Sequence, residues 1–231
     1  MNVLAVNTAT DAMGVALSGA NGCHEWTTPP QAAGRGHSEA LVPMVERLLE
    51  QAGMCVADIE GVAVVAGPGG FTGVRAGVVF ARTLAHVRGL PIAGVDALEA
   101  LAHSVMVRGH VVALLDARRG MVFSGVWEST DAGMHLVRTG RLEPVESLIS
   151  AIGGLAATCV GEGALVHRER LQADAGAAVP PPLLHVLRPA VVAELALPCL
   201  REGGEGVAEL QPRYMREPAM ARAFAAQEER A

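Results

Sequence analysis

A glycine-rich loop between an apolar run and a helical pattern constrains this chain more than any other feature of its sequence. The apolar run covers residues 62–66, the loop GPGGFTG covers 67–73, and the helical pattern covers 74–87. The order strand, loop, helix places free backbone N–H groups and the positive end of a helix dipole at one point, which suits an anion. The loop has neither the Lys-Ser/Thr pair of a Walker P-loop nor the spacing of a dinucleotide-binding turn. The alternative is a tight turn whose glycines only permit close packing.

Composition limits the classes of protein to which the chain can belong. Its 231 residues are 51% apolar but only 3% aromatic, which predicts an aliphatic core in one large domain or two small ones. The apolar runs are short and the N-terminus lacks a signal-peptide pattern, so we expect a cytoplasmic protein with no membrane segment. The four cysteines form no C-x-x-C pair, which fits a reducing compartment. The net charge of −6 argues against independent, high-affinity binding of nucleic acid.

The opening pattern of the chain returns near its middle. In both copies a buried strand, at 3–6 and at 111–115, leads through a polar turn into a second strand. Crossover helices are predicted between further strands, so the pattern indicates a mixed α/β fold with two related lobes. We place the lobes at 1–106 and 107–216, and we expect residues 217–231 to form a flexible tail.

The sequence lacks the residue spacings of common catalytic sites. No two of the eight histidines stand three or four residues apart, and there is no G-x-S-x-G segment. We also find no nucleophile with a neighbouring base, so we predict neither a catalytic residue nor a metal site. A scaffold that suits phosphate but lacks catalytic groups indicates a role in binding or assembly.

Five segments, taken in order, resemble one known family. They are VLAVNTAT at 3–10, GHSEALVPM at 36–44, GPGGFTGVR at 67–75, DARRG at 116–120 and PRYMR at 212–216. With these segments the chain resembles the TsaB (YeaZ) family, the bacterial partner proteins of TsaD in threonylcarbamoyladenosine synthesis on tRNA. The glycine-loop segment is quite specific, and the set spans most of the chain.

The resemblance implies a two-lobed actin/hexokinase/Hsp70-like fold with ribonuclease-H-like lobes. It implies a non-catalytic subunit that binds and activates TsaD, with the ATPase TsaE and tRNA joining the complex. That complex makes N6-threonylcarbamoyladenosine at position 37 of tRNAs that read ANN codons. It uses ATP and threonylcarbamoyl-adenylate, whereas this chain alone is expected to bind no cofactor. In TsaD two histidines hold a metal, and Ala97 and Leu101 align with them here, which implies an inactive paralogue.

The helices predicted at 38–51 and 72–87 are expected to form the partner surface. Glycine inside a helix costs about 1 kcal/mol relative to alanine, so small residues on the second helix suggest close approach of another helix. The resemblance points to the same helices for a homodimer and for the TsaD complex, and Gly77→Leu should then weaken both. The alternative is that this face packs on the protein's own sheet. The expected interface residues are His37, Leu41, Met44, Val45, Leu48, Thr72, Gly73, Ala76, Gly77, Phe80 and Ala81.

A phosphate contact is a further expectation for the glycine loop and the first turn. The family often has Asp where this chain has Asn7, and a neutral amide binds Mg²⁺ less well than a carboxylate. The hydroxyl groups of the first turn have the alternative role of stabilising that turn. The expected contacts are Thr8, Thr10, Gly69, Gly70 and Arg75.

Two other functions remain open at this point. A small kinase of the same fold superfamily, acting on a sugar or acyl substrate, would need one acidic residue for Mg²⁺ and another as a general base. Asp11 and Asp116 are the candidates for these two roles. A metallopeptidase is disfavoured by the histidine spacing.

Overall fold

The computed structural model describes residues 1–20, 22–28 and 37–215, with side chains of the first helix described from residue 40. The strands are β1 Val3–Asn7, β2 Gly14–Gly19, β3 Gly22–Thr27, β4 Gly61–Gly67, β5 Ile92–Asp96, β6 Gly109–Asp116, β7 Met121–Thr130, β8 Gly133–Pro144 and β9 Thr158–Val160. The helices are α1 His37–Ala52, α2 Phe71–Arg88, α3 Ala97–His103, α4 Val145–Ile152, α5 Glu162–Val166, α6 Arg168–Ala175 and α7 Pro189–Arg201. Short 3₁₀ turns cover Val56–Asp58 and Pro182–His185.

The strands form two sheets with related topology. The first sheet has the order β3-β2-β1-β4-β5, in which β1, β2 and β3 are antiparallel neighbours while β4 and β5 continue parallel to β1. The second sheet has the order β8-β7-β6-β9, again with an antiparallel meander followed by a parallel neighbour. The predicted mixed α/β class and the repeated opening pattern are therefore confirmed.

Helices cover both faces of the first sheet. On one face α2 approaches β4 so closely that a Cβ at Gly77 would lie 3.5 Å from Val64. On the other face α7 contacts all five strands, and Leu200 lies against Gly61. The stretch Pro182–Arg201 is long and apolar enough to cross a membrane by length and composition alone. Because the inner side of α7 is buried on the sheet, we assign it to the core of this lobe.

The two sheets share one core through α3. Leu98 and Leu101 of this helix are fully buried, in one cluster with the first sheet and with one face of the second. The strand β6 contributes Val111, Ala113 and Leu115 to that cluster, whereas its alternate residues face a second core under α4 and α6. This explains why β6 reads as a continuous apolar run, since it is buried on both faces.

Several local expectations can be compared with these elements. The predicted helices at 38–51 and 72–87 are confirmed as α1 and α2, and Gly70 is the N-cap of α2. The division after residue 106 stays a prediction, and α7 from the second half of the chain packs on the first sheet. The expected tail at 217–231 lies outside the described residues.

The side of α2 that carries Gly73 and Gly77 gives the first testable prediction. A methyl group at position 77 would overlap the hydroxyl oxygen of Thr8, which donates a hydrogen bond to the Gly73 carbonyl at 2.7 Å. Overpacking of this kind costs about 1–3 kcal/mol, so we expect Gly77→Ala to lower the free energy of unfolding despite the better helix propensity of alanine. Denaturant unfolding measures the change.

The matched control is Gly153→Ala, at a glycine with negative φ where a Cβ would meet only ordinary contacts of 3.5 Å and longer. We expect this control to stay within about 0.5 kcal/mol of the wild type. Thr8→Ala should make Gly77→Ala less costly in the double variant, because it removes the overlapping oxygen. Equal stability of Gly77→Ala and the wild type would contradict the assigned contact.

Candidate functional site

The turn after β1 lies directly beside the glycine loop. Asn7 is fully buried and holds the turn, because its Nδ2 donates to Thr10 Oγ1 at 2.9 Å and to the Ala12 carbonyl at 3.0 Å, while its Oδ1 accepts from Ala9 N. The loop is bonded to this turn, since Gly70 N donates to the Ala9 carbonyl at 2.8 Å. The two segments thus form one closed, hydrogen-bonded unit at the end of the parallel strands.

The hydroxyl groups of the first turn do not point to an open site. Thr8 donates to the Gly73 carbonyl and Thr10 to the Ala12 carbonyl, and both side chains are buried. A hydroxyl group has only one proton to donate, so neither is free for a phosphate. In the structure both hydroxyl groups stabilise the turn, and a phosphate contact of Thr8 or Thr10 stays a prediction.

The remaining expected phosphate contacts are not brought together at one point. The Gly70 N–H is used inside the protein, and a Cβ at Gly69 would overlap the Ala9 carbonyl. Arg75 lies apart from the first turn, with its Nε 3.0 Å from the Tyr214 hydroxyl and its guanidinium 4.4 Å from the centre of the Phe71 ring. A phosphate contact of Gly69 or Arg75 stays a prediction.

Most of the expected interface residues are buried within the chain itself. The apolar side of α1 packs on β2 and β3, and the small side of α2 packs on β4. This face therefore packs on the protein's own sheet and is not exposed in the chain, and a partner contact of these residues stays a prediction. The residues buried in this way are Leu41, Met44, Val45, Leu48, Gly73, Gly77 and Ala81.

The outer side of the same helices has a different composition. Thr72 is exposed, Ala76 and Phe80 are half-buried, and the side chain of His37 lies outside the described residues. Three valines that the sequence analysis did not single out are exposed on this side, namely Val42 of α1 and Val79 and Val87 of α2. The helix α2 contains three arginines and no acidic residue. The exposed surface of α2 is thus apolar at its centre and positively charged. The spacing of apolar residues predicted both helices, but it did not show which side of each helix the sheet would cover.

A cluster of carboxylates lies where the two lobes meet. Asp11 N, in the first turn, donates to Oε2 of Glu162 at 3.2 Å. Asp116 ends β6 and its carboxylate accepts from Arg118 N at 3.0 Å, in a turn where Arg118 has φ 66°. A Cβ at Gly163 would lie 3.2 Å from Asp116 N, so this glycine lets α5 approach β6 and carry Glu162 into the cleft.

Glu162 has the most perturbed carboxyl group of this cluster. Burial, and after it the negative charge of Asp11, raises the pKa of Glu162 to about 7. Sequence reasoning identified Asp11 and Asp116 but missed Glu162; its only local signal is an acidic residue between two glycines directly after β9. Among the described residues no group of three or more His, Cys, Asp or Glu side chains has the arrangement of a metal site.

The positions aligned with the TsaD histidines lie in α3. Ala97 and Leu101 are both buried in the core that the two sheets share. The helix is capped by Asp96, whose Oδ1 accepts from Leu98 N at 2.8 Å and from Glu99 N at 3.1 Å. These apolar side chains offer no ligand atoms for a metal.

Several proteins of similar sequence have names that refer to tRNA modification. The family model "TsaD: tRNA N6-adenosine threonylcarbamoyltransferase" matches residues 28–158. The chain is 36% identical over 147 residues to the tRNA threonylcarbamoyladenosine biosynthesis protein TsaB of Escherichia coli, covering 57% of this chain and 62% of that protein. It is 35% identical over 130 residues to the protein of the same name from Bacillus subtilis, covering 55% of this chain and 56% of that protein. The matches thus span less than two thirds of these relatives.

A solved structure matches nearly the whole fold. YeaZ from Pseudomonas aeruginosa is 26% identical and superposes with a TM-score of 0.76, covering 92% of this chain and 99% of that chain. The two-lobed fold that the resemblance implied therefore agrees with a YeaZ structure over almost its full length.

The pKa of Glu162 generates the second testable prediction. Because this pKa rises from 4.5 to about 7 on folding, the folded state binds the proton more tightly than the unfolded chain. The stabilisation is complete below pH 4.5 and is lost as the pH rises towards 7. By the energy of a pKa shift, the loss is on the order of 3 kcal/mol. We expect Glu162→Gln to lack this loss when unfolding is measured across the pH range.

The matched control is Glu169→Gln, at an exposed glutamate of α6. This variant should keep the pH dependence of the wild type, and the difference between the two variants isolates the cleft carboxyl group. A wild type and a Glu162→Gln variant with parallel stability curves between pH 4.5 and 7 would contradict the buried, like-charged environment of Glu162.

Proposed function

Since the chain belongs to the TsaD family and is similar to TsaB and YeaZ proteins, we propose that it is a non-catalytic partner subunit in threonylcarbamoyladenosine synthesis on tRNA. It binds and activates TsaD, and the complex modifies adenosine 37 of tRNAs that read ANN codons. TsaE and tRNA join through the complex, which uses ATP and threonylcarbamoyl-adenylate. The chain itself acts in the cytoplasm and holds no metal or cofactor. The observation that carries the proposal is the family match over residues 28–158.

Buried residues of the chain support the proposal that it is not catalytic. Ala97 and Leu101 are packed in the shared core where the resemblance places a metal-binding pair in TsaD. The hydroxyls of Thr8 and Thr10 are bonded to carbonyl groups, and negative side chains line the cleft opposite them. An anionic substrate such as ATP would meet the charges of Asp11, Asp116 and Glu162 there, which raises the free energy of binding.

The partner surface that we propose is the outer side of α1 and α2. Val79 is 63% exposed at the middle of α2, with Arg75 and Thr83 exposed one turn away on either side. Apolar centres with arginine around them are typical of protein interfaces. A second copy of this chain would use the same surface, so the homodimer and the TsaD complex would exclude one another.

The first test of this function is made in the cell. Depletion of the protein should lower threonylcarbamoyladenosine in tRNAs that read ANN codons, because TsaD would lose its activating partner. Nucleoside mass spectrometry of purified tRNA measures the modification. Unchanged levels after depletion, with TsaD still present, would refute the assignment.

The second test locates the surface with a pair of valines of equal exposure. Val79→Glu should weaken TsaD binding by about tenfold or more, because burial of a charge at an apolar centre is costly. Val166→Glu is the control, since Val166 is 61% exposed but lies at the end of α5 in the other lobe. Binding is measured by titration calorimetry, with circular dichroism to confirm folding. Equal affinity of the two variants would exclude the outer side of α2, and no binding by the wild type would exclude the partnership.

A further inference from the structure

The segment 205–215 runs beside the edge strand β5 and reaches the carboxyl end of β4, and we call it the strap. Glu205 pairs with β5, since its N–H donates to the Ile92 carbonyl at 2.7 Å and its side chain accepts from Gly94 N at 2.8 Å. Leu210 is buried in the main core. Arg213 N then donates to the Ala66 carbonyl at 2.7 Å, at the end of β4. The strap is thus hydrogen-bonded to both strands.

The strap touches the glycine loop. A Cβ at Gly67 would overlap the carbonyl oxygen of Arg213, and this residue has φ 121°, a conformation that favours glycine. Open parallel sheets commonly bind ligands outside the carboxyl ends of their strands. In this protein the carboxyl end of β4 is covered by the strap.

Tyr214 fastens the strap to α2. Its ring stacks on Phe71 with centroids 4.9 Å apart, and its hydroxyl accepts from Arg75 Nε at 3.0 Å. Arg75 also lies over the Phe71 ring. Phe71 and Tyr214 are each 40% exposed, so part of this aromatic stack remains open to a partner. We call these three side chains the lock.

The next residue carries the strap to the second lobe. A Cβ at Gly140 of β8 would lie 2.8 Å from Met215 Cε and 2.9 Å from Leu98 Cδ1. Met215 therefore lies between α3 and β8. Tyr214 thus contacts α2, and the next residue, Met215, contacts both α3 and the second sheet.

We propose that the strap couples the exposed side of α2 to the second lobe, with the lock as the point of coupling. A partner that covers Arg75 and Val79 also covers the open part of the aromatic stack. Burial of this apolar area stabilises the closed strap, so the partner holds the strap closed. By linkage, release of the strap weakens the binding of the partner by the same free energy. This inference rests on the proposed function for the identity of the partner.

The lock is tested first in the free protein by hydrogen exchange. In Tyr214→Ala the amide of Arg213 should exchange about tenfold faster or more, because the strap opens locally without unfolding the sheet. The amides of β1 should keep their rates and so confirm that the variant is folded. Tyr214→Phe keeps the stack and loses the bond to Arg75, and it should fall between the wild type and Tyr214→Ala. Leu183→Ala, at a side chain 84% exposed in the second lobe, should leave the Arg213 rate unchanged. An unchanged rate in Tyr214→Ala would overturn the lock.

The coupling is tested by adding TsaD. In the wild type TsaD should slow the exchange of the Arg213 amide, and it should bind Tyr214→Ala several-fold more weakly. With Val79→Glu, at the same TsaD concentration, the Arg213 rate should stay as in the free protein. Binding of TsaD with no change at Arg213 and with equal affinity for Tyr214→Ala would overturn the coupling but leave the proposed function intact. No binding by the wild type would overturn both.

Discussion

The burial of α3 between the two sheets is the constraint on which the rest of the structure depends. Leu98 and Leu101 belong to a cluster that includes strands of both sheets, so the two lobes share one core through this helix, beside the second core under α4 and α6. Side chains at these positions must be apolar and close-packed, because a polar group there would lose its hydrogen bonds to water. The helix is therefore used here for packing, and this packing fixes how the two lobes meet.

Close packing also explains the small residues of α2. Gly77 meets the hydroxyl of Thr8, and that hydroxyl bonds the Gly73 carbonyl, so the helix, the first turn and the glycine loop hold one another in place. The glycines serve the protein's own interior, and the surface offered to a partner is the opposite side, with Val79 at its centre. The Tyr214 stack adds the strap to this surface.

The site at the junction of the lobes is acidic, although its loops resemble those that hold phosphate. The N–H of Asp11 donates to a carboxylate of the protein itself, and the hydroxyls of the first turn are turned inward. Sequence motifs located both loops and both aspartates. They did not reveal Glu162, because its position depends on how closely α5 packs on β6.

The sequence by itself determined the elements, the repeated order of strands and the family, because these follow from local periodicity and short motifs. Only the tertiary structure decided which side of α1 and α2 is buried, since an amphipathic pattern does not say whether a sheet or a partner covers its apolar side. It also decided the partners of Thr8 and Thr10 and the environment of Glu162. Contacts such as Tyr214 with Phe71 join residues more than 140 positions apart, a distance at which no local pattern carries information.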